Sequence, residues 1–131
     1  MKPNLSSKLF LAAAVAILAT AAIARAQEPG ASQKPAYYIS EFTVTDSEGI
    51  KPYSAQVEST FKPFSGRYIV RGGGDIASLE GAEQRGRVVI IAFDSMEKAQ
   101  AWYNSPEYSK LRPIRHKSAT SRVFIVDGVP N

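Results

Sequence analysis

The stretch RVVIIAF, residues 87–93, decides the fold of this chain. Four of its seven residues are β-branched valines and isoleucines, a composition typical of a strand in a sheet. Asp94 follows at once and Glu97 stands three positions later, a spacing that predicts a capping box at the start of a helix. A strong strand that leads directly into a helix indicates a domain that mixes both elements.

The segment after this strand is predicted to form a helix in two pieces. Met96, Ala99 and Tyr103 recur at steps of three and four, which places them on one stripe. The sequence then pauses at Asn-Ser-Pro, and Pro106 suits the first position of a new helix. Pro113 is expected to kink or end this second piece, because proline lacks the backbone N–H that a helix interior needs.

The N-terminal half of the domain shows the same alternation of elements. Residues 36–44, AYYISEFTV, are rich in β-formers and predict the first strand. Apolar residues then recur at helical spacing, from a predicted cap at Thr45 and Asp46 to a stop near Pro63. Residues 67–71, RYIVR, predict the second strand.

Two shorter segments complete the pattern. Residues 76–79 lie between glycine-containing turns and are interpreted as a short strand continuation or hairpin arm. Residues 122–127, RVFIVD, predict the last strand. The resulting order is βαββαβ, which right-handed crossovers convert into a ferredoxin-like α+β fold with an antiparallel sheet and two helices on one face.

The predicted sheet is apolar on both of its faces. In residues 87–93, Val88 and Ile90 alternate with Val89 and Ile91, and the last strand behaves in the same way. Two helices cover only one face, and an antiparallel sheet open to water normally alternates apolar with polar residues. We therefore expect a homodimer in which the open sheet faces pack together.

The N-terminus has the pattern of a signal peptide. Lys2 and Lys8 precede an uncharged apolar run, which ends at Ala24-Arg25-Ala26, a pattern that signal peptidase cleaves. We expect cleavage after Ala26, which leaves residues 27–35 as a flexible leader and residues 36–129 as one domain in the periplasm or outside the cell. An uncleaved membrane anchor is the alternative, but the apolar run is shorter than the roughly 20 residues of a spanning helix.

Charge and cysteine content exclude several classes of function. Cleavage removes Lys2, Lys8 and Arg25, so 13 basic side chains face 12 acidic ones, scattered along the mature chain. A nucleic-acid partner requires clustered basic residues, and we expect none, nor any membrane partner after cleavage. The chain contains no cysteine, which excludes disulfides, thiolate metal sites and cysteine nucleophiles.

Few residues in the sequence indicate catalysis, metal binding or ligand binding. His116 is the single histidine and stands among basic residues, so we predict no metal site and no cofactor. Aromatic side chains and arginine could together hold a small, partly apolar anion. The candidate ligand-binding residues are Tyr38, Arg71, Trp102, Tyr103 and His116. The alternative is structural: Trp102 caps a dimer edge, and Arg71 pairs with an acidic neighbour such as Glu41 or Glu80.

Several motifs together resemble a known family. They are YIVRGG at residues 68–73, the strand at residues 87–93, AWYNSPEY at residues 101–108 and SRVFIVDG at residues 121–128. The chain is identified from them as a member of the bacterial family called domain of unknown function 1330, over about residues 36–129. That family resembles the dimeric α+β barrel superfamily, whose members include small monooxygenases and muconolactone-isomerase-like enzymes. The resemblance implies a fold and a dimer, and it carries no set of catalytic residues.

Two hypotheses for the function follow. In the first, the protein is an exported dimer that binds a small, partly apolar anionic molecule, or a cofactor-free enzyme related to small monooxygenases or isomerases. In the second, it is a purely structural or stress-related dimer in which the same residues only pack. A deep pocket with a convergent arginine or histidine would favour the first, and a filled core would favour the second.

Overall fold

A computed structural model describes residues 33–130 of the chain. The predicted signal peptide, residues 1–26, lies outside the described residues, as does most of the predicted leader. The described part forms one antiparallel four-stranded sheet in the order β2-β3-β1-β4, which confirms the predicted ferredoxin-like fold. Its elements are β1 (Ala36–Val44), α1 (Lys51–Phe61), a short 3-10 helix (Lys62–Phe64), β2 (Arg67–Arg71), β3 (Arg87–Phe93), α2 (Met96–Tyr103), α3 (Pro106–Ser118) and β4 (Ala119–Asp127).

Helix α1 begins later than predicted. The backbone N–H groups of Thr45 and Asp46 donate to the carbonyl of Ser118, at 2.8 and 3.1 Å, and so join this segment to the end of α3. The Asp46 carboxylate accepts from the backbone N–H of Gly49 at 2.9 Å, which stabilises a turn rather than the helix. The predicted cap at Thr45 and Asp46 was therefore wrong, and the helix is preceded by Ile50, which provides no side-chain cap.

Helix α2 is capped one residue after the predicted position. The Ser95 hydroxyl accepts from the backbone N–H of Lys98 at 3.2 Å, so Ser95 is the N-cap. Asp94 instead forms ion pairs with Lys98 at 3.1 Å and with Arg67 at 3.5 Å. The predicted capping box of Asp94 and Glu97 was wrong because Ser95 offers the same acceptor in better register with the helix.

Two further predictions concern Pro113 and residues 76–79. Helix α3 contains Pro113 and runs on to Ser118, so of the two predicted effects, a kink or an end, the end does not occur; the loss of one N–H is tolerated in a helix whose inner side is packed. Residues 76–79 form no strand, because the whole connection from Gly72 to Gly86 is irregular in the described chain. Gly86 shows why its end turns sharply: its φ is 86°, and a Cβ there would lie 2.5 Å from the carbonyl oxygen of Phe42.

The core lies between one face of the sheet and all three α-helices. Tyr38 in β1 is paired with Ile91 in β3 and Ile125 in β4, so these side chains share a face. That face packs against α1, α2 and α3, and Trp102 is buried completely at its centre. No helix in residues 33–130 is long and apolar enough to cross a membrane.

The opposite face of the sheet, called the outer face below, is apolar and open. It carries Ile39, Ile90, Phe124, Val126 and Val70, which alternate with the core residues along their strands. Phe124 and Val126 are 40% and 43% exposed in the single chain. The predicted two-sided apolar character of the sheet is confirmed, and the helices leave this face uncovered.

Candidate binding site

A cavity of about 210 Å³ lies between the sheet and α1, and it is called the α1 cavity below. Tyr38, Val89 and Ile91 from β1 and β3 form part of its floor, while Tyr53 and Val57 cover it from α1. Ligand pockets for drug-sized molecules usually measure about 300–1,000 Å³. The α1 cavity therefore suits a small molecule with a partly apolar body.

Three arginines reach the α1 cavity from different elements. Arg71 ends β2, Arg87 begins β3, and Arg115 lies near the end of α3. None of the residues that line the cavity carries a carboxylate or an imidazole. The cavity therefore has a positive character, which favours an anion.

Arg115 is the most unusual of the three. Its side chain is only 3% exposed, and no carboxylate among residues 33–130 lies within 4 Å of it. The guanidinium contacts the hydroxyl of Ser121 and lies 3.5 Å from Nε2 of His116, while its Nε–H has no partner in the described chain. A buried cation without a countercharge costs several kcal/mol, so an anion in the cavity would stabilise this arrangement.

Three tyrosine hydroxyls form a chain beside Arg115. Tyr53 and Tyr108 are 3.1 Å apart at their oxygens, and Tyr108 and Tyr38 are 3.5 Å apart. Burial raises the pKa of all three well above its usual value, so they stay protonated at neutral pH. The three hydroxyl groups carry three protons and form two hydrogen bonds with one another, so one O–H remains able to donate to a ligand.

The charge of Arg115 is maintained despite its burial. Desolvation acts to lower the pKa of Arg115, but the net direction is upward, because the guanidinium lies among the electronegative hydroxyl oxygens of Tyr38, Tyr108 and Tyr53. Arginine is in any case protonated throughout the physiological range. The site therefore combines a permanent buried cation with neutral hydroxyl donors.

Arg71, at the other side of the cavity, has a carboxylate partner. Its Nη2 donates to Glu58 at 2.9 Å, and the guanidinium lies 4.4 Å from the ring centroid of Tyr68. The hydrogen bond from Arg71 is the main cause that holds the pKa of the half-buried Glu58 below its usual range. The sequence-based alternative, in which Arg71 pairs with an acidic neighbour, is confirmed, with Glu58 as the partner in place of Glu41 or Glu80; Glu41 pairs with Arg122 at 2.9 Å.

Comparisons with known proteins agree with this architecture. The family described as "Domain of unknown function (DUF1330)" matches residues 35–129, which is most of the chain. The chain belongs to this family. Among curated proteins, none matches the sequence.

The DUF1330 domain is similar in fold to several solved structures. A protein of unknown function from Rhodopseudomonas palustris has a TM-score of 0.60 and 15% identity, over 76% of this chain and 85% of that one. SnoaB, a cofactor-independent oxygenase from Streptomyces nogalater, has a TM-score of 0.51 and 13% identity, over 75% and 96%. A dimeric ferredoxin-like protein of unknown function from Thermobifida fusca has a TM-score of 0.50 and 11% identity, over 76% and 96%.

The DUF1330 domain brings only two of the five predicted ligand residues, Tyr38 and Arg71, to the α1 cavity. Trp102 is fully buried in the core and lines no part of it. Tyr103 borders a separate, more open hollow between α2 and β4, where Tyr38 forms part of the wall. His116 is exposed on α3, while Arg115, the residue before it, is the one that enters the cavity.

Trp102 was wrongly predicted to contact a ligand or a dimer edge, because the sequence did not show how much of α2 is buried. The sequence places Ala99 and Tyr103 on one stripe without Trp102, and it assigns Trp102 to a ligand site or, alternatively, to a dimer edge. Instead Ala99 and Trp102 are both completely buried and Tyr103 is half-buried, because α2 packs against the sheet and also against α3. Trp102 therefore does not cap a dimer edge.

Sequence reasoning missed Arg115, Arg87 and Tyr53. A signal for Arg115 was present, because it follows Tyr108 and Leu111 at steps of three and four on the buried stripe of α3. An arginine on such a stripe indicates a buried charge that needs explanation. No group of three or more potential metal ligands occurs within the described part of the chain.

Proposed function

We propose that this protein binds a small, partly apolar anion in the α1 cavity. The observation that carries the proposal is the buried guanidinium of Arg115, which lines the cavity without a carboxylate partner among the described residues. The protonated hydroxyls of Tyr38 and Tyr53 add donors at the same place, and Val89 and Ile91 provide an apolar floor. The α1 cavity thus combines a cation for the anionic group of a ligand, hydroxyl donors and an apolar surface in one small space.

The lining favours binding over acid–base catalysis. A general base needs a pKa near the working pH, and the cavity wall contains no histidine, aspartate or glutamate. The tyrosines cannot fill that role, because burial raises their pKa and keeps them protonated. The fold shared with an oxygenase such as SnoaB does not supply the missing group, since one fold hosts many functions.

A comparison of charged and neutral ligands tests this proposal. Benzoate should raise the melting temperature of the protein in a saturable way, whereas benzamide, which has the same ring and no charge, should not. A ligand at 100 times its Kd stabilises a protein by about 2.7 kcal/mol, which a thermal-shift assay detects easily. The effect should persist in 0.15 M NaCl, because a buried pair is screened less than an exposed one. Equal shifts with both compounds, or none with benzoate, hexanoate and phenylacetate, would contradict the proposal.

We also propose that two copies associate through the outer face. Phe124 and Val126 leave an apolar surface exposed in the single chain, and the similar Thermobifida fusca protein is described as dimeric. The α1 cavity lies on the other side of the sheet, so this association leaves its helical cover in place. Light scattering at micromolar concentration should give twice the mass of one chain.

Two substitutions that each introduce a carboxylate test whether the outer face is the dimer interface. Val126→Glu places a carboxylate in the outer face and should shift the mass to that of one chain. Leu79→Glu, at a side chain that is 90% exposed in the irregular β2–β3 connection, is the control and should leave the dimer intact. A wild-type monomer, or a dimer unaffected by Val126→Glu, would show that the outer face is not the interface.

We further propose that the protein acts in the periplasm or outside the cell. The proposal is supported by the charged start, the apolar run and the Ala24-Arg25-Ala26 pattern at the N-terminus. Intact-mass measurement of the exported protein should give a chain that starts at Gln27. A chain that retains residues 1–26 and sediments with membranes would contradict it.

A further inference from the structure

The strand register relates Arg87 to Ser121, the residue in contact with Arg115. Phe42 in β1 is paired with Arg87 in β3 on one side and with Ser121 in β4 on the other. Ser121 is the residue whose hydroxyl contacts Arg115. Neighbouring strands lie about 4.8 Å apart, so the backbones of Arg87 and Ser121 are separated by roughly 10 Å.

The row of the sheet between Arg87 and Ser121 is occupied by an apolar side chain. Phe42 lies between these two residues, and Val89 and Ile91 continue the floor along β3. Hydroxyl groups, those of Tyr38 and Ser40 among them, line other parts of the cavity. A ligand that spans the two arginines passes Phe42, where an apolar spacer fits without leaving a polar group unsatisfied.

The charges of the cavity do not balance within the protein. Arg71 is neutralised by Glu58 at 2.9 Å. Arg87 and Arg115 have no carboxylate within 4 Å anywhere in residues 33–130. Two positive charges therefore remain in a space that no acidic side chain lines.

We infer that the ligand is a dicarboxylate whose two acid groups are separated by a short apolar spacer, with one group at Arg115 and the other at Arg87. This inference rests on the proposed anion-binding function and adds the second charge and its position. The carboxylate at Arg115 is the buried anchor. The carboxylate at Arg87 is nearer to solvent, because Arg87 is an exposed residue at the first position of β3.

Pairs of acids that have the same hydrocarbon part but one or two carboxylates test whether the site recognises a second negative charge. Adipate is compared with hexanoate, and terephthalate with benzoate, by calorimetric titration of the full mature protein. Each diacid should bind about five- to tenfold more tightly than its monoacid, because a charge-assisted bond at an exposed arginine gives a moderate gain. The advantage should shrink as NaCl is raised, since the second contact is partly solvated.

Two variants locate the second contact. Arg87→Gln should bring the affinity for adipate down to that for hexanoate measured in the same variant, so that the five- to tenfold preference for the diacid disappears. Arg85→Gln removes the same charge two residues earlier, from an arginine whose nearest carboxylate is Glu83 at 3.8 Å, and should retain the full preference. Circular dichroism confirms that both variants are folded.

The outcomes separate this inference from the proposed function. If monoacids bind and diacids bind equally well, the dicarboxylate inference is wrong and the anion site stands. A diacid preference that survives Arg87→Gln overturns the assignment of the second group to Arg87. If none of the four acids binds, the proposed function fails, and the inference fails with it.

Discussion

Replacing Trp102 with alanine is expected to lower the free energy of unfolding by about 3–5 kcal/mol. The indole is completely buried and packs among five aromatic rings; the centroid distances are 4.2 Å to Tyr108, 5.0 Å to Tyr38, 5.4 Å to Phe93, 6.0 Å to Phe61 and 6.3 Å to Tyr103. Small domains are stable by only about 5–15 kcal/mol, so this single truncation removes a large share. Urea denaturation followed by circular dichroism measures the loss.

A second substitution separates the packing of Trp102 from its hydrogen bond. The indole N–H donates to the hydroxyl of Thr60 at 2.9 Å, inside the core. Thr60→Val keeps the shape and leaves that N–H unsatisfied, which should cost about 1–3 kcal/mol. Leu79→Ala, at an exposed site, is the control and should change little. A loss below 1 kcal/mol for Trp102→Ala would show that the aromatic cluster does not hold the core together.

The strands were predictable because their signal is local. β-Branched residues fill β3, and β-formers with alternating faces fill β1, so the order of elements along the chain and the two-sided apolar sheet followed from the sequence. Helix starts were less predictable, because several residues offer equivalent caps. Asp94 and Ser95 both carry a suitable acceptor, and only the final backbone geometry decides that Ser95 accepts from Lys98.

The site was less predictable than the fold, because it depends on contacts between distant segments. Arg115 enters the cavity from α3, and Arg87 is placed near it only by the register of β1 with β3 and β4. Sequence alone favoured conspicuous residue types, the single histidine and the single tryptophan. His116 is exposed and Trp102 is a core residue, so these two rare residues lie outside the α1 cavity.

Replacing Arg115 with methionine is expected to stabilise the ligand-free protein and to abolish anion binding. Methionine fills a similar volume without a charge, and removal of a buried cation that has no countercharge should raise the free energy of unfolding by about 1–2 kcal/mol. The gain is moderate, because the hydroxyl of Ser121 loses its contact with the guanidinium. At the same time, the melting-temperature shift caused by benzoate should disappear. Thermal denaturation with and without benzoate measures both effects in one experiment.

The matched control is Arg112→Met, which removes the same charge from the same helix one turn earlier. Arg112 donates to the hydroxyl of Ser109 at 2.9 Å and lies 4.6 Å from the ring centroid of Tyr103, outside the α1 cavity. Its replacement should lower stability by about 0.5–1 kcal/mol, through the lost cation–π contact, and leave the benzoate response intact. The two variants thus change stability in opposite directions, and only Arg115→Met affects binding. If Arg115→Met destabilises the protein and keeps the benzoate shift, then Arg115 is a structural residue and the anion is bound elsewhere.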